Sequence, residues 1–129
     1  MPQVNVYGLK EHLNPIKSQL SEIIHESFIV ALNYPAEKKC QRFFPMQADD
    51  FYYPTNASPR YTLVEIQMFE GRSVEVRKQI LRLIMERVQQ ELDFAPEDFE
   101  VILNESPRCN WGIRGTPADE LQLNYKVET

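Results

Sequence analysis

The chain has 129 residues, 43% of them hydrophobic and 26% charged, and a formal net charge of −5. That length supports one domain with its own core, and the composition excludes a disordered chain. The acidic balance argues against binding nucleic acid or an anionic membrane through bulk charge. No apolar run is long enough to span a bilayer. The N-terminus lacks a basic stretch followed by an apolar core, so no secretory signal is expected. Cys40 and Cys109 have no metal-type spacing, and the expectation is reduced thiols in a cytoplasmic protein.

In chain order, Pro2 to Leu9 reads as a strand and Lys10 to Leu13 as a turn. Asn14-Pro15 predicts a helix start, with Asn14 as N-cap and Pro15 in the first helical position. The helix runs to about Leu32 and is closed by Asn33 and Pro35. His25 lies between its stripe positions and is expected at the surface. A short strand follows from Cys40 to Met46, then a long loop from Gln47 to Arg60 carrying the aromatic cluster Phe51-Tyr52-Tyr53. Tyr61 to Phe69 reads as a strand, with apolar and polar residues alternating from Val64 onward, the period of a half-buried strand. Glu70-Gly71-Arg72-Ser73 breaks it, and the Ser73 hydroxyl is suited to cap a long amphipathic helix ending near Leu92. Phe99 to Leu103 is the next strand, Glu105 to Pro117 a second loop, and the alternation of Leu121, Leu123, Tyr125 and Val127 predicts a C-terminal strand over 121–127.

This order contains a repeat. The helical stripe Val76, Ile80, Leu83, Ile84, Val88, Leu92 answers Ile16, Leu20, Ile23, Ile24, Phe28, Leu32 at a constant offset of 60 positions. The strands follow at the same shift, Val4 with Val64 and Val6 with Ile66, and both helices exit through Pro-containing segments. Each half therefore reads β-α-β, which makes its two strands parallel. The expected fold is α+β in two layers within a single domain, 1–129. Two pseudo-repeats, 2–60 and 61–121, build a four-stranded mixed sheet with both helices on one face, plus the short C-terminal strand. Leu63 and Phe69 fall on the face away from the helices. An open, partly apolar face in so small a chain predicts self-association.

The strand running into Glu70-Gly71-Arg72-Ser73, the Ala95-Pro96 exit and the Trp111-Gly112-Ile113-Arg114-Gly115 turn resemble oxalocrotonate tautomerase over about half the chain. With two halves and a Pro after Met1, the whole is similar to the tautomerase superfamily, nearest its malonate semialdehyde decarboxylase-like group. The resemblance implies the macrophage migration inhibitory factor fold, a homotrimer and chemistry at an amino-terminal proline. Once Met1 is removed, Pro2 carries a secondary amine. An apolar pocket lined by cations holds such an amine neutral, and a neutral amine can act as general base beside a carbonyl.

By the same resemblance Arg72 binds a substrate carboxylate, and an arginine chelates carboxylates bidentately. Arg42 is a looser match to a carbonyl-binding arginine. Trp111 stands at a pocket aromatic, Arg114 replaces a small residue and adds a cation there, and Tyr53 is a candidate pocket wall. His12 takes the place of Arg72 in the first repeat.

Departures bear on the reaction: Glu70 stands where the decarboxylase pattern has a second arginine, and Lys38 aligns with its aspartate. The reading is a cofactor-free keto–enol tautomerase of small 2-oxo or enol carboxylates, with no metal, nucleic-acid or membrane partner. The alternatives are a decarboxylase or hydratase of a small oxo acid, and a non-catalytic trimeric binding module.

Overall fold

A computed structural model of the protein describes residues 2–121. The predicted C-terminal strand, beyond Leu121, lies outside the described residues. In chain order the elements are β1 (Gln3–Leu9), α1 (Lys10–Leu13), α2 (Lys17–Leu32), β2 (Gln41–Met46), β3 (Thr62–Phe69), α3 (Val74–Leu92), β4 (Phe99–Ser106), and a small hairpin of β5 (Gly112–Ile113) and β6 (Thr116–Pro117). The main sheet has the order β2-β1-β3-β4. β1 is parallel to β2 and β3 to β4, while the two central strands are antiparallel. This is the expected mixed sheet of two βαβ units.

The repeat survives at the level of hydrogen-bond register. Val4 lies opposite Gln41, and Val64 lies opposite Val101, so both crossovers return the chain at the same offset. Across the centre, Val4 faces Ile66, Val6 faces Val64, and Asn5 faces its own repeat equivalent, Glu65. A local two-fold axis therefore passes through the Asn5–Glu65 pair. Asn33 and Asp93 end the two long helices in the same left-handed conformation, at φ 51° and 57°. Behind them Tyr34 and Phe94 are both buried. The amides of Lys38 and Asp98 donate to the carbonyls of Pro35 and Ala95, and 3-10 turns follow at equivalent places, Ala48–Asp50 and Arg108–Asn110.

One core serves both halves. Val4, Val6, Val64, Ile66 and Met68 point from the sheet into a layer made by Leu20, Ile24 and Phe28 of α2 and Ile80, Ile84 and Val88 of α3. Full burial of such side chains contributes about 1.5–3 kcal/mol each before entropy is counted. The opposite sheet face carries Asn5, Tyr7, Arg42, Phe44, Leu63, Glu65 and Ile102. There Tyr7 stacks on Phe44 with ring centroids 4.9 Å apart. Phe44 and Ile102 remain 40% and 43% exposed. Phe69, on the same side, is fully buried, because Trp111, Ile113 and Ala118 fold over it.

Several expectations need correction. Lys10–Leu13 is helical rather than a plain turn, and Asn14 closes it, its amide donating to the Lys10 carbonyl at 3.1 Å. Asn14 is already in right-handed helical geometry and so does not cap α2, which starts at Lys17 after Ile16. The fully buried Leu13 pulls this segment against the sheet, and that packing overrides the Asn-Pro signal. β4 runs on to Ser106, and the loop beyond it folds into the β5–β6 hairpin. His25 is buried, not at the surface. Its Nε2 donates to the Ala36 carbonyl at 2.7 Å, and its ring meets Tyr34 edge-on. No described helix is long and apolar enough to cross a membrane.

Candidate active site

One end of the sheet collects most of the predicted residues. Pro2 is buried immediately before β1. Because Gln3 lies opposite Gln67, one further step along the antiparallel register brings Pro2 beside Met68. β3 leaves the sheet there, and the chain turns through Glu70-Gly71-Arg72-Ser73. Gly71 adopts φ 130°, a conformation that side chains disfavour. The Glu70 amide donates to the Ser106 carbonyl at 2.9 Å, which holds the turn to the end of β4. Ser73 caps α3 as expected, its hydroxyl accepting from the Val76 amide at 3.2 Å. The Arg72 side chain is 5% exposed, and its Nη1 donates to the Phe69 carbonyl at 3.3 Å. Arg72 thus lies behind the surface at the end of the sheet where Pro2 is also buried.

Trp111 is half-buried over the same end. Its ring meets Phe69 edge-on at 4.9 Å, and its indole N–H donates to Ser106 Oγ at 2.8 Å. Arg114 occupies the tip of the β5–β6 hairpin. Arg114 and Gly115 both have positive φ, 52° and 83°, the pattern of a tight two-residue turn whose twist matches its strands. The Arg114 side chain is exposed at the rim.

Two predicted residues lie elsewhere in the chain. Arg42 sits on the open sheet face, its Nε donating to Asn5 Oδ1 at 2.8 Å and its Nη1 reaching Cys40 Sγ at 3.6 Å. The Cys40 thiol in turn donates to Gln3 Oε1 at 3.0 Å. Tyr53 is at the far end of the sheet, packed with Phe51 and Tyr61 at centroid distances of 6.3 and 6.2 Å. Burial, with a hydrogen bond to Glu100, pushes the Tyr61 hydroxyl up to about 12. On the open face a hydrogen bond to the Glu65 carboxylate, with burial, raises the Tyr7 hydroxyl.

Between the Arg72 turn and the Trp111 loop is a cleft of about 500 Å³ lined by Glu70, Gly71, Pro107, Arg108, Cys109 and Asp119. Its counterpart at the far end, about 360 Å³, is lined by Leu9, Lys10, Glu11, Met46, Gln47, Ala48 and Asp49. The two clefts are related by the repeat: Lys10 corresponds to Glu70, Glu11 to Gly71, Gln47 to Pro107, Ala48 to Arg108 and Asp49 to Cys109. The chemistry is not duplicated. Thr62 stands where the first repeat has Pro2, and His12 where the second has Arg72.

Sequence reasoning missed Arg108, which brings a guanidinium to the proline end, and Arg77, whose Nε lies 3.4 Å from Glu105 Oε1 beside that end. Their signal was available only through the repeat, which aligns the Arg108 turn with the Ala48 turn. Guanidinium groups close to an amine disfavour its protonated form, and they pair with carboxylates.

A duplicated βαβ scaffold with a proline buried at the entrance of its first strand, beside an arginine turn, defines a class of small α+β proteins with one chemically equipped end. Residues 38–114 match the family described as "Tautomerase enzyme", and the chain belongs to that family. It is 34% identical over 59 residues to 2-hydroxymuconate tautomerase of Pseudomonas putida, a match spanning 46% of this chain and 94% of the relative. Its fold is similar to that of a fused 4-OT solved as an asymmetric trimer (TM-score 0.78, 19% identity, 91% of this chain and 96% of that one). It is also similar to malonate semialdehyde decarboxylase (TM-score 0.74, 15% identity, 86% and 89%).

Proposed function

We propose that the protein is a cofactor-free keto–enol tautomerase of small 2-oxo or enol carboxylates, with Pro2 as general base after removal of Met1. The observation that carries this reading is the burial of Pro2 at the sheet end that also buries Arg72. The neutral imino nitrogen takes a proton from the carbon next to the substrate carbonyl and returns it to the other end of the enol system. Arg72 and the cations around it hold the carboxylate and stabilise negative charge developing on the carbonyl oxygen. Trp111 supplies an apolar wall, and Arg114 a cation at the rim.

The working form in this reading is a homotrimer in the cytoplasm. The open sheet face, with the Tyr7–Phe44 stack and Ile102, is the surface that needs cover. Arg42 lies on that face and Tyr53 at the far end, so each serves a site only from a neighbouring subunit. The test is phenylpyruvate tautomerisation by protein whose intact mass shows Met1 removed. Pro2→Ala is expected to lower kcat/KM by about 10²-fold or more; equal rates for the two proteins would falsify the proline mechanism.

A further inference from the structure

The last residue of β4 reaches both segments that flank the proline end. Ser106 lies opposite Phe69 in the β3–β4 register. Its carbonyl accepts from the Glu70 amide at the start of the turn that carries Arg72. Its Oγ accepts from the Trp111 indole N–H at 2.8 Å. Across the register, the Phe69 carbonyl accepts from Arg72 Nη1, and the Phe69 ring meets Trp111 edge-on. One strand-end pair therefore holds both Arg72 and Trp111.

The Trp111 backbone is fixed separately. Its amide donates to the Arg108 carbonyl at 3.1 Å, and its carbonyl accepts from the Ala118 amide at 2.8 Å. These bonds leave the angle of the ring open. An edge-to-face contact with Phe69 suits more than one edge of an indole, whereas a hydrogen bond takes only the edge that bears the N–H. Ser106 Oγ selects that edge. The repeat shows that packing alone does not require the bond. At the offset of 60, Ser106 corresponds to Met46 and Trp111 to Phe51. Met46 has no hydroxyl and Phe51 no side-chain donor, yet Phe51 still packs on Tyr61 at 5.9 Å. The hydroxyl and the indole thus occur together, and only in the half that carries Pro2 and Arg72.

Resting on the tautomerase reading above, we infer that Ser106 is a positioning residue for substrate binding: its hydroxyl locks the Trp111 ring as an apolar wall beside the Arg72 turn before a 2-oxo or enol carboxylate arrives. Without that lock the ring divides among orientations, and apparent affinity falls by the fraction that remains in place. Replacing the Ser106 side chain leaves its carbonyl, and so the bond to Glu70, intact.

Trp111 is the only tryptophan of the chain, so its emission reports on this ring alone. Ser106→Ala, checked for folding by circular dichroism, should shift that emission and make it easier to quench with acrylamide. For phenylpyruvate it should raise KM by about three- to tenfold, the size of one lost neutral hydrogen bond, with kcat within about twofold. Ser106→Thr keeps the hydroxyl and should match the wild type in both readouts. Ser106→Val, isosteric with it, should behave as Ser106→Ala, and this pair carries the test if the alanine variant fails to fold. In a Trp111→Phe background, where no N–H is left to hold, Ser106→Ala should move KM by less than about twofold. Unchanged emission or KM in both Ser106→Ala and Ser106→Val, a Thr variant as impaired as the Val variant, or an equal loss in the Trp111→Phe background overturns the inference. Binding of phenylacetate, followed by Trp111 emission, separates it from the proline chemistry. A wild type without turnover, whose phenylacetate affinity still falls about three- to tenfold on loss of the hydroxyl, overturns the tautomerase reading and leaves the positioning role standing. Equal binding by wild type and variant, or no binding by either, overturns the positioning role as well.

Discussion

The two halves of this molecule share a backbone and differ in chemistry. Strand register, left-handed helix exits, the turn after each helix and the 3-10 turn after each outer strand all recur at one offset. At one end of the sheet this frame presents Pro2, Arg72, Arg108 and Trp111. At the other the same positions hold Thr62, His12, Ala48 and Phe51. Phe51 still packs as its counterpart Trp111 does, against an aromatic at a strand end: Tyr61 at 5.9 Å for one, Phe69 at 4.9 Å for the other. Packing was thus kept at both ends, whereas the strand-start proline and the arginines Arg72 and Arg108 occur at one. Backbone hydrogen bonds and core contacts tolerate many side chains at a cleft; proton transfer tolerates few.

That contrast can be broken first in the core. Ile24 and Ile84 are repeat equivalents and fully buried. Replacing either with Ala should cost about 2–5 kcal/mol. Because both face one shared layer, the two losses should agree within about 1 kcal/mol, measured by urea denaturation. A large inequality would mean that the halves do not share one cooperative core.

The second comparison sets Arg72 against His12. Arg72→Ala, checked for folding by circular dichroism, should lower kcat/KM for phenylpyruvate by about 10²-fold. His12→Ala should stay within about twofold of the wild type, since His12 lies at the opposite end of the sheet from Pro2 and Arg72. Comparable losses from both would place chemistry at both ends.

The smallest effect is expected at the helix starts. Ser73 caps α3 through the Val76 amide, whereas α2 begins after Ile16 with no side-chain cap. Ser73→Ala should lower stability by about 1 kcal/mol. Asn14→Ala should cost less, because Asn14 ends α1 instead of capping α2, and paired denaturation curves would rank the two.

Much of the fold was legible because hydrophobic spacing is a local record of which face meets the core. The two helices, the four strands, their 60-position offset and the Ser73 cap can all be read from the order of residues. Pro2, Arg72 and Trp111 were recognisable by their motifs, and the fold brings them to one end. What the order of residues does not contain is competition between distant segments. Asn14-Pro15 carries a strong helix-start signal, yet burial of Leu13 against the sheet moved the boundary. His25 reads as a surface residue until the chain returns after α2 and offers the Ala36 carbonyl. Tyr53 and Trp111 look like alternative pocket aromatics, and only strand direction separates them to opposite ends. Sequence alone determined the duplicated scaffold, since periodicity and propensity act within one segment. Tertiary structure decided which charges share a cleft, because Glu70, Arg108 and Asp119 meet only after β3, β4 and the final turn are folded together.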